Sequence, residues 1–152
     1  MLSKKTKYAI KALLHLAKNY GEGPVLIGKL SEKEKIPKKF LESILLDLRK
    51  QGILASKMGA GGGYYLLKKP NEVYLSQIIR FTDGPIALVP CVSLNFYEKC
   101  ADCEHETICG IKDVMTDVRE ATLKILSTTT LEDVLKREDN LGKIAANKKI
   151  LK

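Results

Sequence analysis

The pattern that most restricts the fold is an amphipathic helix followed at once by a glycine-rich turn between two apolar runs. In residues 37–51, apolar side chains recur at the i, i+3, i+4, i+7 spacing of one helix face, at Leu41, Ile44, Leu45 and Leu48. Gly52 follows as a C-terminal cap. The runs ILASKM (53–58) and YYLLKKP (64–70) flank the stretch GAGGG, and this arrangement predicts a β-hairpin.

Two further helices are predicted before this segment. The first covers about residues 3–19 with Ser3 as its N-cap, and its apolar stripe lies at Ala9, Leu13, Leu16 and Tyr20. The second covers about residues 26–34, with inward-facing Leu26, Ile27 and Leu30, and Pro37 suits the first turn of the next helix. Three helices and a hairpin within residues 1–70 have the layout of a winged helix-turn-helix domain.

The positive charge is concentrated in the same segment. The chain has a net charge of +8, and residues 1–70 carry 15 Lys/Arg against 5 Asp/Glu. Such a balance is typical of a polyanion-binding domain, although a lysine-rich solvated surface would also produce it. In a DNA-binding domain, the third helix would enter the major groove and the glycine turn would let the backbone approach a phosphate. A plain tight hairpin remains the alternative role for these glycines.

The second half predicts a short helix at 75–83, a cysteine-bearing loop, a long helix at about 107–127 and a capped final helix at 128–138. The long helix carries one apolar stripe, at Ile111, Val114, Met115, Val118, Thr122 and Ile125. We expect a second subunit to cover it as a dimer interface, with packing on the first helix of the same chain as the alternative. The chain then divides into a DNA-binding domain, a sensor and dimerisation region, and a basic flexible tail, at 1–70, 71–139 and 140–152.

All four cysteines fall in the loop before the long helix, at Cys91, Cys100, Cys103 and Cys109. Clustered cysteines in a reducing compartment are more often metal ligands or redox sensors than structural disulfides. Converging thiolates suit an iron–sulfur cluster, and a Cys-x-x-Cys pair with two further cysteines also suits structural zinc. A thioredoxin-like enzyme is not indicated, because no βαβ unit surrounds the pair. The residues themselves leave iron–sulfur binding, zinc binding and thiol sensing open.

No pattern in the sequence indicates catalysis or a membrane location. There is no serine–histidine–acid set and no nucleotide motif, since GAGGG lacks the helix and the Lys-Ser/Thr ending of a phosphate loop. His15 fits a structural position at a helix edge. No apolar run approaches the length of a membrane-spanning helix, and no cleavage site follows the basic N-terminus. We therefore expect a cytoplasmic protein that is not an enzyme and has no membrane partner.

The stretches SKKTKYAIKALLHLA and FLESILLDLRKQGILASKMGAGGGYYL, with the cysteine loop before a long helix, resemble the Rrf family of bacterial winged-helix regulators. The resemblance covers about residues 1–138 and implies a homodimer with two winged helices and a long crossed dimerisation helix. Glu42 and Ser43 match positions that face bases in the family, and Met58 stands where members often carry an arginine. Together with the basic charge, the resemblance implies DNA contacts at Lys4, Lys5, Lys38, Lys39, Glu42, Ser43, Lys57 and Gly61.

The resemblance also implies an iron–sulfur cluster, of the 2Fe-2S or 4Fe-4S type, held by three cysteines. Cys91, Cys103 and Cys109 match the family cysteines, and Cys100 is additional. Lys112 and Lys7 stand where some members supply a fourth ligand. We therefore expect Cys100 as the fourth ligand, with His105 as the alternative.

These features predict a mainly α protein with a small β-hairpin wing, in which a winged helix-turn-helix is joined to a long dimerisation helix. The predicted function is a DNA-binding transcriptional regulator, a repressor, that binds a palindromic operator as a homodimer. An iron–sulfur cluster or the thiol redox state would control its binding. The alternative is a zinc-stabilised winged-helix module that binds another protein and senses nothing.

Overall fold

A computed structural model describes the backbone of residues 2–150 and the side chains of residues 2–146. Three helices, a two-stranded hairpin and three further helices follow one another along the chain. They are α1 (Lys4–Lys18), α2 (Ile27–Glu34), α3 (Lys38–Lys50), β1 (Leu54–Lys57), β2 (Gly63–Leu66), α4 (Leu75–Thr82), α5 (Gly110–Leu126) and α6 (Leu131–Ile150). This order confirms the predicted mainly α fold with a β-hairpin wing. Within the described residues, no helix is long and apolar enough to cross a membrane.

Helix α1 begins and is buried as its sequence predicts, but it ends earlier. Ser3 is the N-cap, because its Oγ accepts a hydrogen bond from the amide of Thr6 at 3.1 Å. Ala9, Leu13 and Leu16 are buried in the core. The prediction that Tyr20 continues this stripe is wrong. The helix ends at Lys18, so Tyr20 lies in the following turn and is 43% exposed.

Helices α2 and α3 form the helix-turn-helix. Leu26 was expected to face inward, but it precedes the first residue of α2 as the N-cap and is 47% exposed. Leu30 anchors α2 in the core, and Pro37 lies at the N-cap of α3. The predicted stripe of α3 is confirmed, since four side chains have no exposed surface: Leu41, Ile44, Leu45 and Leu48.

The hairpin that forms the wing lies close to the backbone before α2, and the close approach occurs at a glycine. Strands β1 and β2 pair antiparallel, with Leu54 opposite Leu66, and β2 is joined to Val25 through a bridge at Tyr64. Gly63 has φ +145°, and a Cβ at this position would lie 2.2 Å from the carbonyl oxygen of Val25. Only glycine lets the two backbones approach this closely.

Helix α6 corrects the prediction for the C-terminus. It begins at a capping box, in which the amide of Thr130 donates to the Asp133 carboxylate at 2.9 Å and the amide of Asp133 donates to the Thr130 hydroxyl at 3.2 Å. A final helix ending near residue 138 and a flexible tail at 140–152 were predicted. Instead, α6 continues to Ile150 through Asn140 and Gly142, since no proline follows residue 138. Residues 151–152 of the predicted tail lie outside the described residues.

Helix α5 stands apart from the core. It packs on α4 and on the turn Pro90–Val92, yet none of its 17 residues, all of which the structure describes, is buried. Along the predicted stripe, Ile111 is 70% exposed and Ile125 is 61% exposed. Exposing an apolar stripe to water at several positions costs free energy, and a patch of this kind is typical of an interaction surface.

Candidate DNA-binding surface and cysteine loop

The N-terminal half of α3 presents polar side chains on the face opposite its buried stripe. Lys38, Lys39, Glu42 and Ser43 are all exposed. The Ser43 hydroxyl donates to the carbonyl oxygen of Phe40 at 2.8 Å, so its hydrogen is already engaged on the helix. The N-terminus of a helix also attracts anions through its unpaired amides. This face therefore combines two cations, an exposed carboxylate and a helix N-terminus.

The wing and the start of α1 flank this face. Lys57 and Gly61 are exposed on the wing, and Lys4 is exposed in the first turn of α1. Lys5 differs, because its Nζ lies 2.8 Å from the carboxylate of Asp47 on α3, with both side chains about one third exposed. The hydrogen bond from Lys5 lowers the pKa of Asp47. Lys5 thus ties α1 to α3 in addition to adding positive charge.

The sequence placed Arg49 on the polar face of α3 but did not predict its contact, and it did not identify Asp47 as part of this surface. The Arg49 guanidinium donates to the Ser56 hydroxyl at 2.9 Å and so links the end of α3 to strand β1. Periodicity predicts which residues of a helix are buried, but it does not predict which neighbouring element an exposed side chain reaches. These two contacts fix the recognition helix relative to α1 and the wing.

The structure places the cysteines at the N-terminus of α5 and in the loop before it. All four are free thiols of intermediate burial. Cys109 is the N-cap of α5, and its Sγ accepts a hydrogen bond from the amide of Lys112 at 3.5 Å. The amide of Cys103 donates to the carbonyl oxygen of Cys100 at 3.4 Å, and the Cys103 thiol lies near enough to Cys109 and Cys100 for both to raise its pKa. Three of the four predicted ligands are therefore neighbours, although they do not converge on one point.

The thiols of Cys109 and Cys103 differ in acidity. The amide of Lys112, followed by the Cys103 thiol, lowers the pKa of Cys109, as expected for a sulfur at a helix N-terminus. The neighbouring Cys109 sulfur, with burial, raises the pKa of Cys103 to about 11. Cys109 is therefore the more acidic thiol of the two.

Cys91 and His105 are placed differently from these three cysteines. Cys91 lies in the turn Pro90–Val92, close enough to Tyr97 to contribute to the raised pKa of that side chain after the larger effects of Glu106 and burial. His105 is exposed at the start of the turn Glu106–Ile108. In the described part of the chain, no three Cys, His, Asp or Glu side chains converge closely enough to hold a metal ion.

Three polar contacts, none of them predicted, fasten this loop to itself and to α5. The Arg119 guanidinium donates to the carbonyl oxygen of Val92 at 2.6 Å, next to Cys91. Glu106 accepts from the Tyr97 hydroxyl at 2.7 Å and from Lys112 Nζ at 3.3 Å. These contacts join residues through long side chains in irregular backbone, which no sequence period can reveal.

The donor set suits a soft metal centre. Thiolates are the ligands that iron–sulfur clusters and structural zinc share, and the N-terminus of α5 favours the anionic form of Cys109. Cys100 and Cys103 are neighbours of Cys109, and Cys91 lies in the same loop. The residues present therefore fit such a group by their chemistry.

In the reduced, metal-free protein we expect alkylation by iodoacetamide near pH 8 to modify Cys109 before Cys103. The lowered pKa leaves more of Cys109 as the reactive thiolate, whereas Cys103 stays a thiol until the pH approaches about 11. Peptide mapping by mass spectrometry would give both rates, with the urea-unfolded chain as the control in which the difference disappears. Equal rates in the folded chain would contradict the arrangement.

Comparison with known proteins identifies the family. The chain matches the Rrf2 family, described as iron-dependent transcriptional regulators, over residues 2–137. A Rhodobacter capsulatus protein described as rrf2-like is 44% identical over 89% of this chain and 92% of its own length. The transcriptional regulator CymR of Bacillus subtilis is 30% identical over 91% of each chain.

Solved structures agree with this assignment. The structure of B. subtilis CymR, named there as the global cysteine regulator, matches with a TM-score of 0.76 at 30% identity and covers 90% of this chain and 97% of its own. That of T. potens IscR matches with a TM-score of 0.71 at 28% identity over 91% and 88%. The matched proteins are helix-turn-helix transcriptional regulators and not enzymes. This chain belongs to the Rrf2 family of DNA-binding transcriptional regulators.

Proposed function

We propose that the protein is a homodimeric repressor whose affinity for a palindromic operator is set by the cysteine loop, through an iron–sulfur cluster. The observation that carries this proposal is the position of Cys109, whose sulfur caps the exposed helix α5. A chemical change at the loop therefore acts directly on the first turn of the proposed dimerisation helix. The basic winged helix and the cysteine loop become two sites on one dimer.

In the proposed DNA complex, each α3 enters a major groove, and Lys38 and Lys39 contact phosphates at its entrance. Glu42 reads a base edge, since a carboxylate accepts a hydrogen bond from cytosine N4 and is repelled by bare acceptors. The wing, with Lys57 and Gly61, lies on the neighbouring backbone, and Met58 takes the place of the arginine found there in other members. Half-sites lie about 34 Å apart, or a small multiple of that distance.

Replacing Lys38 with alanine and replacing Glu42 with alanine should have different consequences for DNA binding. Lys38→Ala should weaken all sequences alike and reduce the salt slope by about 0.9 per protomer. Glu42→Ala should change the preferred base at one position, where one good contact is worth about 1–3 kcal/mol. Fluorescence anisotropy on a set of half-site variants measures both, with Lys143→Ala on the outer part of α6 as the matched control. A Glu42→Ala protein that loses the same affinity on every sequence would show that this side chain reads no base.

The proposed dimer buries the stripe of α5. A partner helix crossing at this stripe would cover Ile111, Met115, Val118, Thr122 and Ile125, which the fold leaves accessible on one side of the helix. Burial removes about 25 cal/mol per Å² of apolar surface from water, so a stripe this long provides a large part of a stable interface. Two α5 helices would also bring two cysteine loops into one assembly.

Val118→Glu should convert the dimer into a monomer, because the substitution places an unpaired charge in the buried interface, at a cost of several kcal/mol. Sedimentation velocity gives the oligomeric state, and far-ultraviolet circular dichroism shows whether the helices remain. Lys124→Glu, on a neighbouring exposed position of the same helix, is the matched control and should stay dimeric. A Val118→Glu protein that sediments as the wild type would place the interface elsewhere.

The proposed cluster ligands are Cys91, Cys103 and Cys109, with Cys100 as the fourth and His105 as the alternative. When bound, an iron–sulfur cluster supplies a centre that responds to oxidants, nitric oxide or iron supply. The adjacency of Cys100, Cys103 and Cys109 supports three of these ligands. Cys91 has to move toward them from its own turn, and the loop between Val92 and Cys100 contains no regular secondary structure to oppose that movement.

Anaerobic purification, with an absorption spectrum and iron and sulfide analysis, tests the cluster. The wild type should be coloured and contain iron and sulfide, whereas Cys103→Ala and Cys109→Ala should lose both, because no nearby group replaces a thiolate. The fourth ligand follows from comparing Cys100→Ala with His105→Ala, and we expect the larger loss for Cys100→Ala. Colourless protein that contains stoichiometric zinc would replace this proposal with the structural-zinc module. Protein that contains neither metal, but whose DNA affinity changes on thiol oxidation, would replace it with a thiol switch.

A further inference from the structure

Glu106 is the best-connected side chain of the cysteine loop, although the proposed function gives it no role. Its Oε2 accepts hydrogen bonds from the Tyr97 hydroxyl at 2.7 Å and from Lys112 Nζ at 3.3 Å. The side chain is only 18% exposed. Its Oε1 is buried and has no hydrogen-bond partner among the described residues. Two specific donors therefore hold the carboxylate.

These two donors come from opposite ends of the loop. Tyr97 lies before Cys100, and its bond to Glu106 closes a ring of backbone that contains Cys100 and Cys103. Lys112 lies in the first turn of α5, and Cys109 is the N-cap of that helix. The Lys112 ammonium also lies 5.8 Å from the centre of the Tyr97 ring, so all three side chains contact one another.

Lys112 contacts both the sulfur that caps α5 and the carboxylate of Glu106. Its backbone amide donates to Cys109 Sγ, while its side chain donates to Glu106. The sulfur that caps α5 and the carboxylate that closes the loop are thus attached to the same residue. The cysteine loop has little regular secondary structure to order it. Contacts of this kind therefore restrict its conformational freedom.

We propose that Tyr97, Glu106 and Lys112 form a clasp that holds the cysteine loop closed and keeps Cys103 beside Cys109. Glu106 is a positioning residue, because it acts through the backbone that carries the cysteines. The importance of the clasp for sensing rests on the proposed function, whereas its existence does not. The clasp makes the cysteine pair ready for joint chemistry, whether the partner is a soft metal or an oxidant.

The test uses the full-length chain, reduced and freed of metal with a chelator. Glu106→Gln removes the charge and keeps the shape, and Tyr97→Phe removes only the hydroxyl donor. Glu104→Gln makes the same charge change two residues away, at an exposed position, and is the matched control. The rate of N-ethylmaleimide labelling at Cys103, followed by peptide mapping, is compared with the rate at Cys91, which lies outside the closed ring.

Opening the clasp should expose Cys103 and raise its labelling rate about tenfold in Glu106→Gln and Tyr97→Phe, as expected for the loss of one charge-assisted hydrogen bond. The rate should stay within about twofold of the wild type in Glu104→Gln. The double variant should not exceed the larger single effect, because both changes remove the same contact. Wild-type rates in both single variants, or additive effects in the double variant, would overturn the clasp.

A cadmium titration adds a readout that a loss of helix content cannot imitate. Cadmium bound by thiolates absorbs in the ultraviolet, and we expect about tenfold weaker binding in Glu106→Gln with an unchanged circular dichroism spectrum. Should Glu106→Gln fail to fold, the milder Tyr97→Phe decides by the same measurements. A wild type that binds no cadmium would count against the proposed metal site, while the labelling rates would still decide the clasp.

Discussion

The burial of four side chains on α3 determines how the rest of the molecule is arranged. Leu41, Ile44, Leu45 and Leu48 have no exposed surface, and together they hold the helix against α1, α2 and the first strand of the wing. Since side chains three and four residues apart share a face, fixing this stripe turns Glu42 and Ser43 outward. Loss of one of these leucines would cost about 2–5 kcal/mol, and it would also release the orientation of the DNA-facing residues.

Polar contacts organise the cysteine loop and α5, whereas α4 and the start of α6 join the hydrophobic core. Helix α5 has no buried residue, so its attachment depends on α4 and on side-chain hydrogen bonds to the cysteine loop. Arg119 holds the carbonyl oxygen of Val92, and Lys112 holds Glu106. Such contacts are weak singly, and they break and form more easily than a packed core. A winged helix with a rigid core is therefore joined to a region whose order depends on a few side chains.

The sequence predicted the parts of the structure that periodicity controls and missed those that depend on single contacts. The helices and the hairpin follow from their apolar spacing, so α1, α3 and the wing were correctly predicted. The errors at Tyr20 and Leu26 arise at helix ends, where a shift of one or two residues moves a side chain from the core to the surface. The continuation of α6 was missed because its polar composition, with Asn140 and Gly142, was interpreted as a loose tail, whereas the helix passes through both residues.

For the candidate site, the sequence located the cysteines but not their mutual arrangement. The adjacency of Cys100, Cys103 and Cys109 depends on how an irregular loop turns back on α5. Tyr97 and Glu106 lie nine residues apart in that loop, a distance with no regular period, so no pattern joins them. The exposed positions of Lys38, Lys39, Glu42 and Ser43 on α3, by contrast, were predicted correctly, because a buried stripe on one side of a helix defines the opposite side as well.

The cap of α5 has a mechanical consequence. Most helices begin at an oxygen acceptor, whose chemistry is unchanging under cellular conditions. This one begins at a sulfur, whose lone pairs can be taken by a metal or changed by oxidation. When the sulfur of Cys109 is engaged elsewhere, the amide of Lys112 loses its acceptor, and the first turn of the helix has to unwind or find another. In the proposed regulator, a change at the Cys109 sulfur would therefore alter the first turn of α5, and the length of the helix would follow the chemistry of the loop.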